Sequence, residues 1–212
     1  MFYRPGLDQH GLAHNPFKAL VSPRPIAWVS TIDADGRANL APFSFFNAVA
    51  EAPPILMIAP YGAPPEKSEG PDTLRNILET KEFVIHATPY ALRDQMNVTA
   101  AQYPHGVDEF EAAGLTKAGS EIVKPPRIAE APIAFECAFL TRTELPSERE
   151  TMKNGAVFGQ VVGIHIDDAV IVDGKVDVTR FRPLARLGYM DYASVDAVFD
   201  MPRPTKPDAA KP

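Results

Sequence analysis

The sequence RPIAWVSTIDADGRANLAPFSFFN, residues 24–47, decides the fold of this chain. Residues 25–32 are rich in β-forming side chains, residues 33–36 (DADG) are typical of a hairpin turn, and a second strand begins at residue 37. The stretch ends in SFFN, residues 44–47, where a hydroxyl, two aromatic rings and an amide follow one another. Such a run offers a flat heteroaromatic ligand both hydrogen bonds and apolar contact. The pattern therefore predicts a β-hairpin that leads into a ligand-binding segment.

Outward from this hairpin, strand-like runs alternate with short helical ones. Strands are predicted near residues 25–32, 38–46, 54–60, 82–88, 132–145 and 155–166, most of them bounded by Gly, Pro or Asp. Helices are predicted over residues 72–80, with Asp72 as N-cap, over 89–100 and over 106–113. The chain is therefore expected to be mainly β with short helices. An antiparallel barrel with helices packed outside is favoured, because closure protects sheet edges.

Composition is typical of one globular domain. The 212 residues are 45% hydrophobic and 23% charged. A net charge of −6 without a Lys/Arg cluster argues against a nucleic-acid partner. The first residues do not resemble a signal peptide and no apolar run is long enough for a membrane span, so we expect a cytoplasmic protein. The Pro-rich residues 205–212 are predicted to be a disordered tail after a domain of residues 1–204.

Several common sites have no support in this sequence. It contains neither a G-x-G-x-x-G fingerprint nor a P-loop, so a phosphate must be held in some other way. His10 and His14 lie among Gly and Pro, and no nearby carboxylate completes a metal signature with them, which predicts loop histidines and no metal site. The single cysteine, Cys137, lies in a strand-like run and is expected to be a buried thiol.

Several blocks of the sequence, taken together, resemble the flavin reductase-like family of FMN-binding split-barrel proteins. The first block runs from RPIA (24–27) through VST (29–31) to NLAPFSFFN (39–47). Later blocks follow in order: DTLRNI (72–77), QMN (95–97), GVDEF (106–110), EAP (130–132), GQVV (159–162) and RPLARLG (182–188). The resemblance spans residues 15–204. It implies a split β-barrel with Greek-key character, a homodimer, and FMN in a groove at the dimer interface.

The resemblance also implies a function. Members of this family use NADH or NADPH to reduce a flavin, or hold FMN as a redox carrier. We therefore expect an FMN-binding, NAD(P)H-dependent flavin reductase whose electrons go to a flavin-dependent monooxygenase or another acceptor. Two alternatives remain open: a non-enzymatic flavin carrier, and an FMN-dependent oxidase or reductase of a small organic substrate. No Rossmann residue is present to separate NADH from NADPH.

The same resemblance supplies the candidate flavin ligands. They are Trp28, Ser30, Thr31, Ser44, Phe45, Phe46, Asn47, Lys67, Thr73 and Asn76. Trp28 either covers an edge of the flavin or lies in the core, and one of the two Phe rings is expected in the core because neighbouring strand residues point to opposite faces. Ser44 and Asn47 are the preferred ligands in their segment.

The phosphate of the flavin is expected near the start of the predicted helix 72–80. Thr73 and Asn76 lie there, and the free N–H groups of a helix start favour an anion. Many family members have a lysine directly before the Asp-Thr pair, whereas this chain has Pro71. Lys67, Ser68 or Arg75 must then supply the cation, and Lys67 is preferred.

One histidine and two arginines complete the candidates. His165 ends the strand-like run 161–166 and is a weak catalytic candidate, as a donor to a nicotinamide or flavin carbonyl. The alternative is a structural histidine bonded to Asp167 or Asp168. Arg182 and Arg186 are either phosphate contacts or members of surface ion pairs.

Overall fold

The computed structural model describes residues 1–60, 72–148 and 153–203. In chain order its strands are β1 Arg24–Pro25, β2 Ala27–Ile32, β3 Ala38–Phe43, β4 Phe46–Glu51, β5 Pro54–Ile58, β6 Glu82–Ala87, β7 Lys117–Ala118, β8 Arg127–Ile128, β9 Ile133–Leu145, β10 Asn154–Ile166, β11 Ile171–Val172, β12 Lys175–Val176, β13 Leu184–Arg186 and β14 Tyr192–Ser194. Its helices are α1 Phe17–Leu20, α2 Asp72–Thr80, α3 Arg93–Val98, α4 Glu109–Ala112 and α5 Val178–Phe181, with 3₁₀ turns at Tyr90–Leu92 and Asp168–Val170. None of the helices in these stretches is long and apolar enough to cross a bilayer.

Seven antiparallel strands form a sheet that curls into a barrel. Their order across the sheet is β3-β2-β6-β9-β10-β5-β4. Strands β3 and β4 lie at opposite ends of this order, yet only two residues separate Phe43 from Phe46. Three residue steps span at most about 11 Å, so the two edges of the sheet must come close together at this point. No hydrogen-bonded pairing joins β3 to β4 among the described strands, so the barrel is split there.

The hairpin turn between β2 and β3 is built by Asp33. Its carboxylate accepts hydrogen bonds from the backbone N–H groups of Asp35, at 3.0 Å, and Arg37, at 2.9 Å. Gly36 follows with φ +82°, a left-handed conformation in which the missing Cβ avoids strain. The turn sets the register in which Thr31 lies opposite Asn39.

The two faces of the curled sheet carry separate cores. Ala27 and Val29 point into the barrel, where they join an apolar cluster that is closed by Leu74 and Ile77 of α2. Trp28 points to the outer face, where it belongs to a second cluster formed with α3 and α4. The alternation along β2 follows from the pleat, since successive side chains point to opposite faces.

Arg24 joins two distant segments outside the barrel. It is 6% exposed, and its guanidinium donates to the backbone oxygens of Lys18, Val21 and Leu187, the last at 2.7 Å. Strand β1 pairs with β13 at the same place. The residues before the barrel are therefore fastened to the residues after it.

The predicted fold class is confirmed as mainly β with short helices in a split barrel. All six predicted strands and the helix over 72–80 are present, with Asp72 as its first residue. The strand predicted over residues 38–46 ends at Phe43, because the chain turns there to cross between the two sheet edges. Lys67, Ser68, Pro71 and the predicted tail 205–212 lie outside the described residues.

Candidate functional site

The SFFN segment, residues 44–47, lies where the barrel closes between β3 and β4. Phe46 packs against the interior cluster, whereas Phe45 is 44% exposed. The structure therefore has one ring of the segment, Phe46, packed on the core and the other, Phe45, accessible to solvent, as the sequence predicted. Ser44 is half-buried, and the exposed Asn47 accepts a hydrogen bond from the N–H of Ala48 at 2.9 Å.

Two cations flank the exposed ring of Phe45. Lys18 Nζ and the Arg24 guanidinium each lie 5.9 Å from the ring centroid. A cation at this distance is attracted to the face of an aromatic ring. The same arrangement offers an incoming planar ligand an apolar surface with positive charge beside it, which suits an electron-rich or anionic aromatic group.

A buried hydroxyl–amide network, formed by Thr31, Asn39, Thr73 and Asn76, joins the barrel to α2. Asn39 Nδ2 lies 3.0 Å from Thr73 Oγ1 and 3.4 Å from Thr31 Oγ1. Asn76 Nδ2 donates to Thr31 Oγ1 at 3.1 Å. Three of these four residues were expected near a flavin, and the structure brings them together.

The network changes the expected roles of Thr73 and Asn76. They are 1% and 2% exposed, and their side chains bind other members of the network. In this arrangement neither side chain faces solvent. Asn39 was missed in the sequence, although the DADG turn places it directly opposite Thr31 in the hairpin register.

Trp28 and Ser30 are on the other face of β2 from Thr31. Trp28 is fully buried and its Nε1 donates to Thr99 Oγ1 at 2.8 Å. Of the two roles considered for Trp28, an edge of the flavin site or the core, the structure has it in the core. Ser30 is also fully buried, and its hydroxyl has no hydrogen-bond partner. Ser30 and Thr31 were both candidate flavin ligands, and their hydroxyls lie on opposite faces of β2, because neighbouring strand residues point to opposite faces.

The SFFN segment and the hydroxyl–amide network lie at opposite ends of the β2–β3 hairpin. Phe43, next to the SFFN segment, pairs with Ala27, whereas Asn39 pairs with Thr31. Four residue steps along the strand separate these pairs, which corresponds to about 13 Å. The structure therefore does not bring the SFFN segment into contact with the hydroxyl–amide network, and an elongated ligand would be needed to reach both.

His165, the weak catalytic candidate, is held on the outer face by a hydrogen bond to a buried carboxylate. Its Nε2 lies 2.5 Å from Oε1 of Glu136 on the neighbouring strand, so the expected partners Asp167 and Asp168 are wrong. Glu136 is fully buried and also accepts from the N–H groups of Glu121, Ile122 and Val123. Burial alone would raise the pKa of Glu136, but these four hydrogen bonds outweigh it and lower the pKa to about 2. An ionised carboxylate only accepts, so the proton of this pair is on His165 Nε2.

A second histidine that the sequence did not single out, His86, is structural. Ile128 N–H donates to its Nε2 at 2.9 Å, so Nδ1 must carry the proton and donate to Trp28 O at 2.9 Å. Complete burial lowers the pKa of His86 to about 4. The ring is therefore neutral near neutral pH and fastens β6 to β2 and β8.

The candidate arginines are engaged in local contacts. Arg182 pairs with Asp196 and stacks on Tyr90 at 4.3 Å, and Arg186 stacks on Tyr192 at 4.3 Å. Arg75, considered for the phosphate, pairs with Asp72 at 2.7 Å. The preferred cation, Lys67, lies outside the described residues.

A cavity that was not predicted from the sequence lies on the outer side of the sheet. Its volume is about 630 Å³, within the range of sites for small organic molecules. Tyr90, Met96, Tyr192 and Ser194 are among its lining residues. None of the candidate flavin ligands lines it.

Comparison with known proteins gives the family. Residues 20–183 match the flavin reductase like domain. An uncharacterised protein of Aquifex aeolicus is 40% identical over 170 residues, which cover 80% of this chain and 83% of that protein. The chain therefore belongs to the flavin reductase-like family.

Solved structures agree with this assignment. The nitrilotriacetate monooxygenase component B from Bacillus cereus superposes with a TM-score of 0.86 at 28% identity, covering 95% of this chain and 98% of that one. The 2-nitrobenzoate 2-nitroreductase NbaA from Pseudomonas fluorescens superposes with a TM-score of 0.77 at 30% identity, covering 92% of each chain.

Proposed function

We propose that this chain is an FMN-binding flavin reductase that takes its electrons from NADH or NADPH. The observation that carries the proposal is the SFFN segment of a flavin reductase-like barrel, in which Phe45 is exposed between Lys18 and Arg24. A planar ring system with acceptor atoms fits this surface. Family membership supplies the class of ligand.

The residues present fit FMN at both ends of the hairpin. Ser44, Phe45 and Asn47 would bind the ring system through a hydroxyl, a ring and an amide. The phosphate would bind near the first turn of α2, because the positive end of a helix dipole favours an anion. When bound, FMN supplies the hydride chemistry, accepting from a nicotinamide and passing electrons to an acceptor. The role of the protein is then to hold and orient the two ring systems.

Two partners are part of the proposal. A second copy of the chain is proposed to complete the flavin groove, and the exposed outer strand β4, with Val49 50% exposed, supports such an interface. A flavin-dependent monooxygenase is proposed as the electron acceptor. The similarity to a monooxygenase component B supports this acceptor.

A second candidate is FMN-dependent reduction of a small aromatic substrate. The 30% identity to a 2-nitrobenzoate 2-nitroreductase favours it. In this case the organic molecule, and not free flavin, would be the acceptor that turns over.

The test is the absorbance spectrum of the purified protein, followed by anaerobic addition of NADH and then NADPH with excess FMN. Bleaching of the flavin at catalytic rates by one of the two nicotinamides supports the reductase and identifies its donor. Bleaching that turns over only when 2-nitrobenzoate is added supports the second candidate. A colourless protein that binds no added FMN rejects both.

A further inference from the structure

Two arginines lie opposite each other in a strand pair outside the barrel. Arg24 on β1 is the register partner of Arg186 on antiparallel β13. Like charges at directly opposite positions destabilise a strand pair. Burial, and to a smaller extent the charge of Arg186, lowers the pKa of Arg24. The fold therefore holds two positive charges together at a cost in stability.

Arg24 has no negative partner that offsets its charge. It is 6% exposed, and its guanidinium donates to backbone oxygens, those of Lys18, Val21 and Leu187. Its Nε is buried without a hydrogen-bond partner. Carbonyl oxygens satisfy N–H groups but leave the net positive charge in place, whereas buried charges in proteins are normally paired.

A third cation, Lys18, is next to Arg24. The exposed Lys18 side chain and the Arg24 guanidinium lie on the Phe45 ring, each 5.9 Å from its centroid. In the described part of the chain, no carboxylate forms an ion pair with Lys18, Arg24 or Arg186. These three residues are the cation cluster. A rule of strand pairing and a rule of charge burial are both broken here, and such exceptions are typical of functional positions.

We infer that the cation cluster makes a flavin bound at Phe45 easier to reduce. The inference rests on the proposed function, which has the ring system of the flavin at Phe45. Hydride transfer moves two electrons and one proton, so the nicotinamide donor gains one positive charge and the flavin one negative charge. Positive charge beside the ring stabilises this added negative charge, and the oxidised ring has no such charge to stabilise. The cluster therefore binds the reduced flavin more tightly than the oxidised flavin.

The members of the cluster differ in how they can be tested. Arg24 also fastens the residues before the barrel to those after it, so its removal would disturb the fold. Lys18 is exposed, and its side chain makes no hydrogen bond within the described residues. Lys18→Met keeps the length of the side chain and removes its charge, and Lys18→Arg keeps the charge.

The experiment measures the midpoint potential of FMN bound to each variant, by anaerobic reduction against a reference dye without a nicotinamide. Lys18→Met is expected to lower the ratio of reduced to oxidised FMN affinity about three- to tenfold. For a two-electron couple this corresponds to a potential about 15–30 mV lower. Lys18→Arg is expected to keep the wild-type potential. The difference between wild type and Lys18→Met should shrink at high salt, because salt screens an exposed charge.

Lys175→Met is the matched control. Lys175 is also an exposed lysine, but it lies on β12, which pairs with β11 alone. Its removal changes the net charge by the same amount and is expected to leave the potential unchanged. Arg186→Gln tests a second member of the cluster and is expected to lower the potential in the same direction as Lys18→Met.

The outcomes separate this inference from the proposed function. Equal losses of affinity for oxidised and reduced FMN in Lys18→Met would mean a structural role and overturn the inference. An equal shift of potential in Lys175→Met, or an unchanged potential in both Lys18→Met and Arg186→Gln, also overturns it. In each of these cases FMN binding by the wild-type chain still stands. A wild-type chain that binds no FMN rejects the proposed function and the inference with it.

Discussion

His165 Nε2 lies 2.5 Å from a carboxylate oxygen of Glu136, and this carboxylate has no exposed surface. Glu136→Gln removes the negative charge while the histidine and three backbone N–H donors stay in place. We expect the free energy of unfolding at neutral pH to fall by about 2–3 kcal/mol, as measured by urea denaturation. Glu144→Gln is the control, because Glu144 is an exposed carboxylate on the same strand.

The same pair predicts how stability depends on pH. The pKa of Glu136 is lowered from 4.5 to about 2, so the unfolded chain takes up the proton first as the pH falls. The stabilisation is therefore complete above the unfolded value and is lost as the pH falls toward about 2. Wild type should lose more stability than Glu136→Gln over this range, and parallel acid titrations of the two proteins would contradict the assignment.

Trp28→Phe tests whether Trp28 belongs to the core. The variant keeps a ring but loses the hydrogen bond to Thr99, so we expect a loss of about 1–2 kcal/mol in unfolding free energy. Flavin affinity should stay within about twofold, because the wild-type ring is fully buried. A much weaker flavin complex in a well-folded variant would return Trp28 to the binding site.

The two phenylalanines of the SFFN segment are expected to differ. Phe46→Ala removes a ring that packs on the interior cluster and should cost about 2 kcal/mol of stability. Phe45→Ala removes an exposed ring and should leave stability nearly unchanged while weakening flavin binding. Thermal denaturation and flavin titration of both variants check this. Val176→Ala, at a similarly exposed position on β12, is the control for general surface effects.

Gly159 is expected to tolerate no side chain. A Cβ at this position would lie 2.3 Å from the Phe83 ring and 3.2 Å from Cys137 Cβ. Gly159→Ala should therefore lower the unfolding free energy by about 1–3 kcal/mol through overpacking. At Gly163, on the same strand, the nearest atom is 3.4 Å away, so Gly163→Ala should be close to neutral. Similar losses in both variants would show that the interior does not distinguish the two positions.

The central strands could be predicted because each has a recognisable pattern. Strands β2 and β6 are short runs rich in β-forming side chains that are buried on both faces, and the turn at Asp33 marks where β2 ends. Strand β4 was missed because five of its six residues are exposed, so that no alternation is visible. It pairs with β5 in a hairpin, but its place at the sheet edge depends on which other strands of the described chain reach the sheet, and local sequence does not encode that.

In the candidate site, too, some features could be predicted from local sequence and others could not. The Ser44–Asn47 run was identified from residue type, and alternation correctly indicated that only one ring lies in the core. The partner of His165 was missed because Glu136 is 29 residues away and reaches it across a strand pair. Asn39 could have been found from the hairpin register, whereas its bond to Thr73 depends on the packing of α2.

Arg24 has a consequence for local opening of the chain. Its guanidinium binds carbonyl oxygens on both sides of the barrel sequence, including Leu187, which is 163 residues away. Fraying of either segment would leave this charge without its partners and weaken the other segment. Residues 16–24 and 184–188 are therefore expected to behave as one foldon, so that their amide protons exchange with solvent together.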